Sequence, residues 1–295
     1  MFADIPGSKE WKHIEPLTKG WSKDKKFHVV DKSGREMLLR ISDSDLYDKK
    51  KRQFELLKKV ENLCISASAP IDFGVLKDGR VYTLLTWLRG EDAEVVLPTK
   101  TPQEAYTLGL QAGQEMYRLH QIDIPKEDWS WERRYINKIE KKIENFKICP
   151  VDLPKKQLII DYVTENLHLV HNRPTRFEHG DFHCGNMIVS DTGIGIIDFD
   201  KNKTADPYDE FKPFCWNVYA NPQFENGIIH GYFAGDVPED FFPVLSLYAA
   251  EYLLSHITWA MHFGDAEVKT AKKLYDDILP VSYTHLRAHE TPEHL

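Results

Sequence analysis

Between Phe177 and Asp200 the chain reads FEHGDFHCGNMIVSDTGIGIIDFD, and this stretch restricts the fold more than any other. Two short apolar runs, MIV and IGII, flank the turn signal SDTG, a pattern that makes a β-hairpin. The hairpin returns the chain on itself, so Asn186 and Asp198 meet at its open end, with Asp181 in the loop just before the first strand. Three oxygen-bearing side chains then converge. Such a cluster is costly unless its charges meet a cation, and hard oxygen donors without thiolates favour Mg2+. Phosphoryl transfer needs that arrangement: one carboxylate to accept the nucleophile's proton, and an Asn/Asp pair to hold metal that neutralises the phosphate oxygens.

Taken singly, these residues have plainer readings. An aspartate beside a glycine is commonly a turn residue. His183 can be a polar group bonding the loop backbone, and Cys184, with no basic neighbour to lower its pKa, reads as a small buried residue. The rest of the chain has to decide.

At 295 residues the chain is long enough for one large domain or two small ones. No run of about 18 apolar residues appears, and the N-terminus lacks the basic-then-apolar pattern of a signal peptide, so a cytoplasmic protein is expected. The four cysteines stand apart with no CxxC pair and read as reduced thiols. The net charge of −8 is uneven: residues 1–60 carry 15 Lys/Arg against 10 Asp/Glu, whereas residues 178–267 carry 15 Asp/Glu against 3 lysines. One end suits anions and the other cations. Nothing suggests nucleic acid, membrane or an obligate protein partner.

The first 90 residues read as strands with one helix. KFHVVD and EMLLRIS, separated by KSGR, make a hairpin. Ser44 can cap a following helix in which Phe54, Leu57, Val60 and Cys64 share one face and lysines cover the other. APIDFGVL and VYTLLTWL, joined by KDGR, make a second hairpin, and RGEDAE marks a linker. Beyond it the pattern turns helical. Thr101, Pro102 and Glu104 form a capping-box start, further helical segments are expected around 131–146 and 154–169, and amphipathic segments run from Asp206 to about Leu279. The last stretch, VSYTHLRAHETPEHL (281–295), is polar, histidine-rich and foreign in pattern to the helix before it. It is expected to lie outside the fold, and its likeness to translated adapter sequence leaves open that the natural C-terminus is absent.

HGDFHCGN followed by IIDFD resembles the catalytic and metal-binding segments of the aminoglycoside phosphotransferase family, small-molecule relatives of the protein kinases. The resemblance covers most of the chain. It implies an α+β, bilobal kinase-like fold, with a sheet-rich nucleotide lobe over residues 1–90 and a helical catalytic lobe over 91–280. By the same resemblance Asp181 would be the catalytic base, and Asn186 and Asp198 the Mg2+ ligands. Arg40, in LLRIS, would stand on the phosphate-contacting strand, where most relatives of the kinases use lysine, and Glu55 on the next helix would be its ion-pair partner. Gly20, Ser22 and Lys23 would belong to the loop over the nucleotide, and the backbone near Trp87 and Leu88 to the hinge that meets the adenine edge. The nucleotide would be ATP or GTP.

Two other classes compete with this reading. The GDxHG piece of dinuclear metallophosphatases is superficially similar, but their further GDxxD and GNHE motifs are missing. A catalytically dead kinase-like binding module would be expected to lack one of Asp181, Asn186 and Asp198, and all three are present. The family's acceptors are small-molecule hydroxyls. Setting aside Asp181, Asp198, Asp206, Asp209 and Glu210 still leaves 10 acids against 3 bases in residues 178–267. An amine-bearing acceptor, first an aminoglycoside, is therefore expected, with Glu225, Asp236, Glu239, Asp240, Glu251 and Asp265 as amine contacts. Choline, homoserine, sugar or macrolide kinases are the alternatives.

Overall fold

The structure, a computed structural model, describes residues 2–18, 23–125 and 130–288, with side chains as far as Ile278. Its N-terminal part is an antiparallel sheet built from β1 (Trp11–Leu17), β2 (Lys25–Asp31), β3 (Glu36–Ser42), β4 (Pro70–Val75) and β5 (Val81–Thr86), in the order β1-β2-β3-β5-β4. Both expected hairpins form. The edge strand β1 was not anticipated, because WKHIEPL has neither clean alternation nor a turn signal of its own. One face of the sheet buries Val29, Leu39, Ile41 and Leu84 with Ile5.

Between β3 and β4 runs α1 (Tyr47–Asn62), entered through a single 3-10 turn at Ser44–Leu46. Phe54, Leu57 and Val60 are buried as their spacing predicts, each such side chain contributing about 1.5–3 kcal/mol. Cys64 departs from that face: it lies exposed just past the helix, at φ 55°. Lys50 departs the other way, since it is buried where lysines were expected to face water.

The stretch expected to be a linker, RGEDAE (89–94), itself holds β6 (Glu91–Asp92) and the start of α2 (Ala93–Val96), and α3 (Pro102–Leu119) follows. The capping box at Thr101 and Glu104 is complete in both directions. Then follow α4 (Trp131–Ile148), α5 (Lys156–Glu165), β7 (Arg176–Glu178), β8 (Met187–Ser190), β9 (Gly193–Ile196), β10 (Lys203–Ala205), α6 (Phe214–Ala220), α7 (Pro222–Tyr232), α8 (Phe241–Ala260) and α9 (Asp265–Ala288). Helices α3 and α7 cross backbone to backbone. Gly109, Gly113, Gly227 and Gly231 make this possible, for a Cβ on Gly109 would stand 2.1 Å from the Phe224 carbonyl oxygen and 2.9 Å from the Gly227 Cα. Helix α8 is buried around most of its circumference, so it is a central core helix and not the amphipathic segment expected. The last helix also runs past the expected end near Leu279, to Ala288; residues 289–295 lie outside the described residues. Among the described residues no helix is long and apolar enough to cross a membrane.

Candidate active site

β8 and β9 pair from Met187↔Ile196 to Ser190↔Gly193, and the Ile197 N–H donates to the Asn186 carbonyl at 3.0 Å. Asn186 and Asp198 therefore stand at the same open end, with Asp198 in the left-handed region at φ 65°. The hairpin docks against the loop after α1 and against β6: the Ile196 N–H donates to the Ser66 carbonyl (2.7 Å), and β6 pairs with β8.

The loop carrying Asp181 is pinned from below. Glu210, fully buried, accepts the His179 N–H at 2.6 Å and the Gly180 N–H at 2.9 Å, and His179 Nε2 contacts the Ile197 carbonyl at 2.9 Å. Gly180 is required as such: its φ is 84°, and a Cβ would lie 2.1 Å from the Lys201 carbonyl oxygen. Asn217 Oδ1 accepts the Cys184 N–H at 2.7 Å from the far side. The segment DPYDEF (206–211) thus anchors this loop through Glu210.

Asp181 Oδ2 accepts hydrogen bonds from Asn186 Nδ2 and Lys201 Nζ, both at 2.9 Å, and lies 3.7 Å from His183 Nε2. Burial would raise its pKa, but His183 and Lys201 outweigh burial and hold the carboxyl far below the usual carboxylate range. At neutral pH it is an anion, held beside Asn186. Because Asn186 spends its amide nitrogen on Asp181, its carbonyl oxygen is the atom left for a cation. That oxygen with the Asp198 carboxylate is a hard donor pair of the kind that would suit Mg2+. Among the described residues no group of three His, Cys, Asp or Glu forms a self-sufficient metal site. His183 Nδ1 accepts the Gly185 N–H at 3.1 Å, the loop-bonding role weighed for it. Burial pushes the Cys184 thiol up to about 12, so it is no nucleophile at neutral pH.

A cleft of about 580 Å³ lies between the sheet and the hairpin. Arg40, Trp87, Leu88, Asn186 and Asp198 all line it. The Trp87 ring packs on His28 at 4.3 Å between centroids, and the Trp87 backbone N–H donates to the Glu36 carbonyl (3.2 Å), which removes that N–H from those able to meet a base edge. Glu55 is a correction. It lies on the solvent side of α1, more than half exposed and paired with Lys58 at 2.9 Å, so it does not reach Arg40. Arg40 instead meets Asp24 (2.7 Å) and Asp200 (2.8 Å), both of which Lys50 also approaches. Burial alone would raise Asp200, yet Arg40 and Lys50 bring it down to about 2. Lys23 is exposed, and Gly20 and Ser22 lie outside the described residues. Sequence reading missed Asp24, Lys50, Asp200 and Lys201. The available signal was FDK immediately after Asp198 and the lysine run at the start of α1.

Half of the six acids expected to meet amines have partners within the protein. Glu251 is buried against Lys138 and Lys142, Glu225 is buried against Asn217, and Asp240 pairs with Arg173. Asp236, Glu239 and Asp265 are exposed. Beside the Asp181 loop stands an aromatic row instead. The Trp216 Nε1–H donates to Tyr252 Oη (3.2 Å), Tyr252 stacks on His256 and His256 on Trp259, and Trp259 packs on Phe263. Tyr252 lies within reach of the Asp181 charge.

The profile of the phosphotransferase enzyme family (APH) matches residues 13–242. The chain belongs to that family. Its kinase-like α+β fold is shared with solved aminoglycoside phosphotransferases. The GDP complex of aminoglycoside 2'-phosphotransferase-IIIa superposes with a TM-score of 0.72 at 16% identity, covering 94% of this chain and 95% of that one. A thermostable aminoglycoside phosphotransferase APH(4)-Ia with AMP-PNP and hygromycin B gives 0.63 at 17% identity, covering 95% and 98%. Amicoumacin kinase hAmiN, solved with AMP-PNP and Ca2+, gives 0.62 at 13% identity, covering 90% and 87%. At these identities the likeness establishes the fold. No curated protein sequence matches the chain.

Proposed function

We propose that the protein is a nucleotide-dependent kinase that moves the γ-phosphoryl group of ATP or GTP to a hydroxyl of a small molecule. The observation that carries this is the meeting of Asp181, Asn186 and Asp198 beside a cleft whose other wall holds Arg40. In this reading the base lies against the hinge at Trp87 and Leu88, and Arg40 faces the phosphates. Asp198 and the Asn186 carbonyl hold Mg2+, which when bound neutralises charge on the phosphate oxygens. Asp181 orients the acceptor hydroxyl and takes its proton as the acceptor oxygen bonds to the γ-phosphorus and the bond from that phosphorus to the β–γ bridging oxygen breaks. The nucleoside diphosphate leaves with the bridging oxygen's electron pair. An anionic Asp181, held so by Lys201 and His183, is a weak base, which suits a reaction whose proton moves late.

The first candidate acceptor is an amine-bearing molecule, an aminoglycoside above all, in keeping with the acid excess of the large lobe and with the hygromycin B complex of a structural neighbour. A second reading is favoured by the aromatic row at Trp216, Tyr252, His256 and Trp259, which would stack on a flat or apolar ring with little need for charge. A panel of aminoglycosides, amino alcohols, sugars and macrolides, read by nucleotide-coupled turnover, tests both. A polycationic acceptor should show a KM that rises as the Debye length falls from about 10 Å at 0.1 M salt to about 3 Å at 1 M. Turnover with uncharged acceptors alone, or a salt-insensitive KM, removes the amine reading. No turnover with any hydroxyl acceptor removes the kinase reading.

A further inference from the structure

Resting on the nucleotide site just proposed, the cleft floor carries a departure from the kinase pattern. Helix α1 presents to Arg40 a lysine where an acid was expected. Lys50 is 4% exposed, lines the same cleft as Arg40 and Asp198, and is joined there by Lys26, which pairs with Arg40 across the β2–β3 register. Three cations converging on one wall is an arrangement that repels itself unless anions lie among them.

Two carboxylates do, and they are not equivalent. Asp200 takes Arg40 and Lys50 on different oxygens, at 2.8 and 3.4 Å. Asp24, at the entrance to β2, has its side chain only 3% exposed. A single oxygen of it, Oδ2, bridges Arg40 Nη2 and Lys50 Nζ at 2.7 Å each, while Oδ1 accepts from Ser42 Oγ at 2.8 Å. A guanidinium, an ammonium and a hydroxyl around one small anion is a donor set that binds phosphate, and the bridging of two cations by one oxygen is what a phosphoryl oxygen does. We propose that Lys50 is a second phosphate-binding cation of the nucleotide site, and that Asp24 holds the place of a phosphate oxygen between Lys50 and Arg40 until the nucleotide's phosphates take it. The exchange trades one anion for another, so the cations stay paired in both states. Lys50 then acts on the phosphates and not on the base, and selects di- and triphosphates over the nucleoside.

The test is calorimetric titration of the full chain with ADP, GDP, adenosine and guanosine, in Mg2+, for wild type, Lys50→Met, Lys50→Arg and Asp24→Asn. Lys50→Met should weaken the diphosphate by tenfold or more and change the nucleoside less than twofold, with Lys50→Arg recovering most of the loss. Asp24→Asn should tighten the diphosphate severalfold, because the competing charge is gone, and leave the nucleoside alone. Equal loss for diphosphate and nucleoside in Lys50→Met, no loss at all, or weaker diphosphate binding by Asp24→Asn overturns the inference. If Lys50→Met fails to fold, the sign of the Asp24→Asn change decides. Wild type binding none of the four ligands overturns the nucleotide-site reading itself, a result distinct from failure of the Lys50 assignment.

Discussion

Replacing Glu225 by glutamine should stabilise the protein in alkali and leave it nearly unchanged in acid. Glu225 sits in α7, 4% exposed; Oε2 accepts from Asn217 Nδ2 at 2.7 Å, and Oε1 has no partner among the described residues. Burial, only partly offset by the Asn217 bond, lifts the carboxyl from 4.5 to about 8. A raised acid pKa means that the folded chain keeps a proton the unfolded chain gives up. Below pH 4.5 both states are protonated and nothing is lost. As pH rises toward 8 only the unfolded state ionises, and stability falls by about 1.4 kcal/mol per pH unit. The loss is about 3 kcal/mol at pH 7 and about 5 kcal/mol once pH has passed 8. Glutamine has the shape of the neutral acid and no proton to lose. Urea midpoints for wild type and Glu225→Gln at pH 5, 7 and 8.5 measure the difference, which should be under about 1 kcal/mol at pH 5 and several kcal/mol in favour of the variant at pH 8.5. A pH-independent difference, or a variant less stable than wild type at pH 8.5, refutes the burial argument. Because Asn217 also accepts the Cys184 N–H, turnover of the variant at pH 7 should stay close to wild type if the neutral acid is the working form.

Asp181→Asn should cut turnover by about 100-fold or more while the melting temperature and nucleotide affinity hold; more than about a tenth of wild-type activity would contradict a proton-accepting role. Asp198→Ala should abolish the Mg2+-dependent part of nucleotide binding and Asn186→Ala reduce it less, since a carboxylate carries full charge to the metal and an amide oxygen does not; titrations with and without Mg2+ distinguish them. Gly109→Ala should cost about 3 kcal/mol by denaturant midpoint, because the new methyl meets backbone atoms of α7 that move only with the whole helix.

Local pattern carried a large part of this molecule. The hairpin that brings Asn186 and Asp198 together is written in two apolar runs and a turn, and the capping box at Thr101 and Glu104 in three residues, because each is held by groups a few positions apart. The order of the strand bearing Arg40, helix α1, strand β5 and the late acidic hairpin is likewise legible in one dimension. Helix phase was less legible: Glu55 and Lys50 are five residues apart on one helix, and which of them faces Arg40 depends on the angle at which α1 meets the sheet. Charge was the least legible. Glu251, Asp240 and Glu225 count as acids in the sequence, yet Glu251 is buried against Lys138 and Lys142, Glu225 is buried against Asn217, and the exposed Asp240 pairs with Arg173, the partners of Glu251 and Asp240 lying more than 60 positions away. An ion pair falls off with spatial distance and is blind to separation along the chain. Only the folded chain decides which charges a ligand can feel.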